Sequence, residues 1–307
     1  MKLPFRKLLT RARHARVTFK QTGNEYSPLP PGPPPGHFYS PVVDPNDRNV
    51  QSIIQGFYSA ELLENESLKL DTELIHDHLL RIAKHYSRLD FPEHKANGRR
   101  YYYRNPAFSF GDAIVLFGML MEYRPKRVIE VGSGFSSCLM MDTNDHHLGR
   151  EMRLTFIEPY PETLLGQLKP DDSYRSSLIQ KQLQSVPLEV FLDLEEHDVL
   201  FIDSSHVAKT GSDVLDLFFR ILPALRPGVL IHIHDIPYPF EYSPDWIAVE
   251  RRSWNEAYFL RAFLQYNQAF EVIYFNHFAH RRFENEIAEL MPLYLQMGGG
   301  SIWLRKR

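Results

Sequence analysis

The sequence predicts an α/β protein built on a mostly parallel sheet with helices on both faces, preceded by a helical extension. Three observations lead there. From residue 109 onward, short β-branched or apolar runs alternate with amphipathic ones, the pattern of a parallel sheet with crossover helices. One of the apolar runs enters a glycine turn, "RVIEVGSGFSS", and another runs straight into a polar cluster, "DVLFIDSSHVAKTG". In open α/β sheets ligands bind beyond the carboxyl ends of the strands, so both junctions mark a candidate active edge.

A chain of 307 residues accommodates one large α/β domain with an extension, or two modest domains. With 43% hydrophobic and 24% charged residues it has a globular rather than a disordered or fibrous composition. No apolar run approaches the roughly 20 residues of a membrane helix. The net charge of -3 is unevenly spread: residues 1–20 hold seven Lys/Arg and no acid, which leaves 28 bases against 38 acids in the rest. That acidic body argues against tight nucleic-acid binding. The basic start, "MKLPFRKLLTRARHARVTFK", lacks the continuous apolar stretch of a secretory signal and reads as a frayed or docked tail. A lone cysteine, Cys138, forms no internal disulfide, in keeping with a reducing compartment, and the cytoplasm is the expected location. A homo-oligomer is left open.

Residues 1–48 combine the basic tail with "SPLPPGPPPGHFYSP", whose proline density favours an extended linker or surface strap. Residues 49–108 form an accessory region in which "LLENESLKLDTELIHDHLLRIAKHY" has helical spacing. The main domain, 109–307, opens with Ser109 and Asp112 in an acidic variant of the helix-start box, predicting a helix to about Tyr123 that Arg124-Pro125-Lys126 ends. "RVIEV" is the first strand. "RLTFIE", "SLIQKQ", "DVLFID" and "GVLIHIHD" follow as strands, separated by the helical segments "PETLLGQL", "PLEVFLDL" and "GSDVLDLFFRILPAL". "SWNEAYFLRAFLQYN" reads as a helix, and "FEVIYF" and "GGGSIWLRKR" as two last strands that pair antiparallel at the sheet edge.

Gly132 and Gly134, between strand and helix, let a ligand approach the backbone closely. Ser137 replaces the third glycine of the dinucleotide fingerprint, and Glu130 sits two residues before the first glycine, which weakens a nicotinamide reading. An acid there can accept hydrogen bonds from a ligand ammonium group, which S-adenosylmethionine carries and pyrophosphate cofactors lack. Glu158 ends "RLTFIE" 24 residues past Gly134, about where a ribose-binding carboxylate belongs. Together Glu130, Gly132, Gly134 and Glu158 resemble the cofactor motifs of class I S-adenosylmethionine-dependent methyltransferases, over residues 109–305.

The resemblance implies a Rossmann-like three-layer sandwich, a seven-stranded sheet with an antiparallel C-terminal hairpin. "FIDSSH" and "HIHDI" are similar to motifs of the O-methyltransferase branch that includes macrocin O-methyltransferase and, more distantly, catechol O-methyltransferase. It implies a cofactor set of Glu130, Gly132, Ser133, Gly134, Glu158 and Asp203, and a divalent cation, Mg or Mn, held by Asp203 and Asp235 with His234 as third ligand. The His234 position is commonly acidic in that branch, and an imidazole suits Mn, Fe or Zn better than Mg. His206 falls where these relatives place the residue that deprotonates the acceptor hydroxyl, a task suited to a group titrating near neutrality. Lys209 is a second catalytic candidate, steering an anionic substrate or assisting deprotonation. His232, on the opposite strand face from its neighbours, reads as structural.

The expected acceptor is a small molecule, such as a secondary metabolite or glycoside. Tyr238, Phe240, Tyr242, Trp246, Trp254 and Tyr258 read equally as an aromatic lid over it or as core packing under a long crossover. "RYYYRNPAFSF" is a further pocket-wall candidate, and its "NPAF" only partly matches the N-P-P-Y motif of amino-methylating nucleic-acid enzymes. Two alternatives stand beside the metal-assisted O-methyltransferase: a cofactor-binding interaction module without catalysis, and a metal-independent transfer to nitrogen or carbon. A nicotinamide oxidoreductase comes last.

Overall fold

The computed structural model describes residues 32–57, 68 and 70–307. The basic tail, the first part of the proline-rich stretch and the predicted helical residues 58–67 and 69 lie outside the described residues. Met1–Val42 and Val43–Arg307 form separate compact units. Within the first, residues 32–42 turn back rather than run extended. Gly36, at φ +78°, donates its N–H to the Val42 carbonyl at 2.9 Å.

The second unit carries a seven-stranded sheet: β1 Arg127–Val131, β2 Arg153–Ile157, β3 Ser176–Ile179, β4 Val199–Ile202, β5 Leu230–Ile233, β6 Phe270–Phe275 and β7 Ile302–Lys306. The spatial order is β3-β2-β1-β4-β5-β7-β6. The first five strands are parallel, and β7 enters antiparallel between β5 and β6, so the predicted final pair forms with β6 at the edge. β4 and β5 are buried along their whole length, as a sheet covered on both faces requires.

The helices are α1 Arg48–Gly56, α2 Thr72–Ala83, α3 Phe110–Tyr123, α4 Phe135–His146, α5 Glu162–Leu165, α6 Glu189–Leu192, α7 Asp213–Asp216, α8 Leu222–Ala224, α9 Glu256–Leu264, α10 Asn276–Arg282 and α11 Glu284–Leu290. π-helical Leu217–Ile221 joins α7 to α8, so the long predicted helix over this stretch is one rod with a widened turn. "PETLLGQL" and "PLEVFLDL" shrink to single helical turns, and α10 and α11 between the last two strands were not foreseen.

α2 packs on α3 and β6, so the described helix of the accessory region contributes to the core of the main fold. Gly118 permits this approach, because a Cβ there would lie 2.6 Å from Ile82 Cγ2. α3 ends at Tyr123, as predicted, with Arg124 left-handed, but its start differs. The Ser109 hydroxyl donates to the Tyr103 carbonyl, and Asp112 turns inward to accept from Ser301 Oγ at 2.6 Å, Asn276 Nδ2 at 2.9 Å and the Gly300 N–H at 3.2 Å. The expected capping box is absent because tertiary donors claim its acid.

Most of the "RYYYRNPAFSF" segment packs into the core, with Arg104, Pro106 and Ala107 left exposed. Tyr101, Tyr103 and Phe108 are buried, and Asn105 uses its amide within its own turn, accepting from the Ala107 and Phe108 N–H groups and donating to the Tyr102 and Phe108 carbonyls. Arg100 anchors this segment. Its buried guanidinium donates to Asp142 at 2.7 Å, Asp145 at 2.9 Å and also Asp172. Removing one partner of a buried ionic cluster strands the other charges. Arg100→Ala is expected to lower unfolding stability by about 3–5 kcal/mol, read from the denaturant midpoint at constant m-value.

Candidate active site

Val131, Ile202 and Ile233 lie in register at the ends of β1, β4 and β5. Backbone bonds carry the alignment one residue further: Asp203 N–H donates to the Val131 carbonyl and His234 N–H to that of Ile202, both at 2.9 Å. The polar residues after these strands therefore emerge side by side. Gly132, at φ +82°, is required here, since a Cβ would come within 2.0 Å of the Asp203 carbonyl oxygen. Gly134 is extended and faces open space.

The glycine loop is held from two sides. Beneath it the fully buried Glu130 accepts hydrogen bonds from the Ser136 and Ser137 hydroxyls at the start of α4. Burial pushes its carboxyl up to about 8 despite those bonds. In front, Glu158 accepts from the Ser133 N–H at 3.2 Å and the Tyr160 N–H at 2.8 Å. A cleft of about 510 Å³ opens along the strand ends, lined by Gly132, Glu158, Tyr160, Gln182, Asp203 and Lys209 among others. Glu130, Ser133 and Gly134 stand outside its lining, so Glu130 meets serine hydroxyls where a ligand ammonium was expected.

Asp203 also belongs to a second constellation. One atom each from Asp203, His206 and Asp235 lie within 4.8 Å of one another, which fits the mixed oxygen and nitrogen donors of a divalent-cation site. His206 Nε2 is 3.4 Å from Asp203 Oδ1 and 3.7 Å from Asp235 Oδ2. Its Nδ1 is 2.9 Å from Glu256 Oε2. His206 and Asp235 both adopt left-handed backbone, at φ +59° and +56°, which is uncommon outside glycine and recurs at functional sites.

His234, expected as third ligand, lies outside the trio, in which His206 is the nitrogen donor. The His234 ring is buried beside Phe108, with Nε2 3.5 Å from Asp112 Oδ2 and Nδ1 3.6 and 3.5 Å from Asp203 and Asp235. It bridges Asp112 to the two aspartates of the trio. His232 is structural, stacked on Phe201 at 3.9 Å and edge-on to Trp303.

These neighbours polarise one another. Burial opposes ionisation of Asp203, but His234 and His206 hold its carboxyl well below the usual range, whereas burial pushes Asp235 up despite the same histidines. Burial also opposes a charged His206, yet Asp203, Glu256 and Asp235 outweigh it and push the imidazole up to about 10.

The aromatic segment divides in two. Tyr238, Phe240 and Tyr242 are buried core, whereas Trp254 lies 4.2 Å from the His206 ring and Arg252 stacks on both Trp246 and Trp254 beside Asp235. Tyr258 is partly exposed and bonds Glu241. Lys209 is exposed on the cleft. Sequence reasoning missed Glu256, Asp112 and Arg252. Glu256 reads locally as an ordinary first-turn helix acid, and only its burial 50 residues from His206 reveals more.

Residues 129–236 match the family model described as a methyltransferase domain. A protein of Archaeoglobus fulgidus, described as uncharacterized, is 36% identical over 171 residues, covering 53% of this chain and 74% of that protein. Among solved structures, an S-adenosylhomocysteine-bound methyltransferase of Podospora anserina aligns over 86% of this chain and 98% of its own, at 12% identity and a TM-score of 0.42. An O-methyltransferase of Streptomyces achromogenes involved in tomaymycin synthesis, solved with S-adenosylmethionine, aligns over 83% and 96%, at 14% identity and a TM-score of 0.40. The domain match begins inside β1 and ends one residue past Asp235, taking in the glycine loop and both aspartates; the chain belongs to the family of the archaeal protein and carries a methyltransferase domain.

Proposed function

We propose that the chain transfers the methyl group of S-adenosylmethionine to a hydroxyl oxygen of a small-molecule acceptor, with a divalent cation held by Asp203, His206 and Asp235. One observation carries this reading: Asp203 is shared between the cleft and the three-residue donor set, so cofactor and cation would meet along one carboxylate. A bound cation lowers the pKa of a coordinated hydroxyl and fixes its oxygen in place.

The chain's own residues supply the rest. Glu158, already braced by two backbone N–H groups, has remaining lone pairs for the cofactor's ribose hydroxyls. Gly132 and Gly134 leave the backbone open to close approach, and Glu130 holds their loop from below with the help of Ser136 and Ser137. Lys209, exposed at the cleft, is placed to steer an anionic acceptor. Trp254 and the Arg252–Trp246 stack wall the acceptor side and limit water around the reacting oxygen.

A second reading keeps His206 as the base that takes the acceptor proton, with the cation on the two aspartates alone. It is favoured by the Nε2 position against both carboxylates. The Glu256 carboxylate on Nδ1 serves either role, fixing the tautomer that leaves Nε2 to act.

Calorimetric titration with S-adenosylmethionine tests the cofactor side. The wild-type protein is expected to bind, and Glu158→Ala to bind at least about 10-fold more weakly, from the loss of charged hydrogen bonds. Gly132→Ala, which drives a Cβ into the Asp203 carbonyl, is expected to abolish binding and lower the melting temperature. A wild-type protein that binds no S-adenosylmethionine contradicts the proposal. On the cation side, EDTA or Asp235→Asn is expected to reduce methyl transfer by about 100-fold or more, with Mn or Mg restoring the EDTA-treated wild type; full activity in EDTA contradicts it.

A further inference from the structure

We propose that Glu256 is the positioning residue that makes His206 a nitrogen ligand, so that the site selects a transition-metal ion such as Mn2+ over Mg2+. The inference rests on the cation site proposed above and goes beyond it in naming what sets the metal preference.

Glu256 is fully buried, and its carboxylate has two partners, His206 Nδ1 at 2.9 Å and the Ser204 hydroxyl at 3.2 Å. The same short segment grips His206 in two other ways. The Asn255 and Glu256 N–H groups donate to the His206 carbonyl at 3.1 and 3.2 Å, and the Trp254 ring lies 4.2 Å from the imidazole. Edge, face and backbone are all held by residues 254–256, on an element far from His206 in sequence. Such a grip explains how His206 keeps its left-handed backbone, which a purely packing role does not call for.

A carboxylate accepting from Nδ1–H places the ring's proton on that nitrogen and turns the Nε2 lone pair to the other side. There it meets Asp203 Oδ1 and Asp235 Oδ2 at 3.4 and 3.7 Å. These are three donor atoms converging on one point, where a proton on Nε2 or a metal cation displacing it can sit between them. The Arg252 guanidinium, 4.0 Å from Asp235, is committed elsewhere, bonded to Glu250 and stacked on Trp246 and Trp254. His234 Nδ1 also approaches Asp203 and Asp235, at 3.6 and 3.5 Å, but its Nε2 faces Asp112 and it lies outside the three-residue donor set. A donor set of one imidazole and two carboxylates favours ions that accept nitrogen, whereas Mg2+ keeps to oxygen and water.

The test uses the full chain stripped of metal. Calorimetry with Mn2+ and Mg2+ is expected to show Mn2+ binding at least about 10-fold tighter. Pulsed EPR of the Mn2+-loaded wild-type protein is expected to show hyperfine coupling to an imidazole nitrogen, which His206→Gln removes. Glu256→Gln is expected to weaken Mn2+ binding about 10–100-fold while leaving Mg2+ binding and S-adenosylmethionine binding within about threefold. Mn2+ bound without nitrogen coupling, or equal affinity for the two ions, overturns the inference while calorimetric binding of S-adenosylmethionine leaves the methyltransferase reading intact. The wild-type nitrogen coupling needs no substitution, so the test holds even where a variant fails to fold.

Discussion

The site depends on one constraint, the common register in which β1, β4 and β5 end. Because Val131, Ile202 and Ile233 are ladder partners, the residues that follow emerge on neighbouring strands about 4.8 Å apart. Gly132 tightens the junction by admitting the Asp203 carbonyl where any other residue would place a Cβ. A slip of one residue would turn the strand-end side chains to the opposite face of the sheet. It would separate Asp203 from Asp235 and close the cleft at the glycine loop. Cofactor pocket and donor cluster are thus two consequences of a single alignment.

That alignment concentrates charge where water is scarce, and the fold answers with alternation. Two histidines flank the paired aspartates, and each is backed by a further buried acid, His206 by Glu256 and His234 by Asp112. The backing acids come from opposite parts of the chain, α9 and α3. Asp112 is in turn tied to the β6–β7 connection through Asn276, Gly300 and Ser301. Isolated carboxylates in such surroundings would neutralise rather than ionise. Here imidazoles hold Asp203 ionised while burial raises Asp235, so two chemically identical groups acquire different electronic roles. The electrostatics of the site therefore belong to the whole domain rather than to one loop.

Much of the scaffold was legible because its signals are local. Strand runs such as "RVIEV" and "DVLFID" carry their own hydrophobic pattern, and the glycine turn announces the loop between β1 and α4. The antiparallel end was legible for the same reason. What failed were inferences in which a local signal competes with a distant partner. Asp112 has the spacing of a helix-start acid, yet Ser301 and Gly300, almost 190 residues away, draw its side chain inward. His234 lies beside Asp235 in sequence and was expected in the donor set; its ring does approach both aspartates, but it also engages Asp112 of α3, a partner the local sequence does not reveal. His206 gains its place from a left-handed backbone and a glutamate 50 residues on, neither of which leaves a mark in the neighbouring sequence. The aromatic run after β5 looked uniform and divided between core and site, because only the chain path decides which rings face inward.

The account's central claim is that one strand-end carboxylate joins a cofactor cleft to a cation site. Its most direct test is a crystal structure of the full chain grown with S-adenosylhomocysteine and Mn2+, with anomalous scattering recorded at the manganese edge. The account predicts an adenosyl group in the cleft beside Glu158 and one anomalous peak coordinated by Asp203, His206 and Asp235. A nucleoside ordered elsewhere, or manganese coordinated away from those three residues, would contradict it.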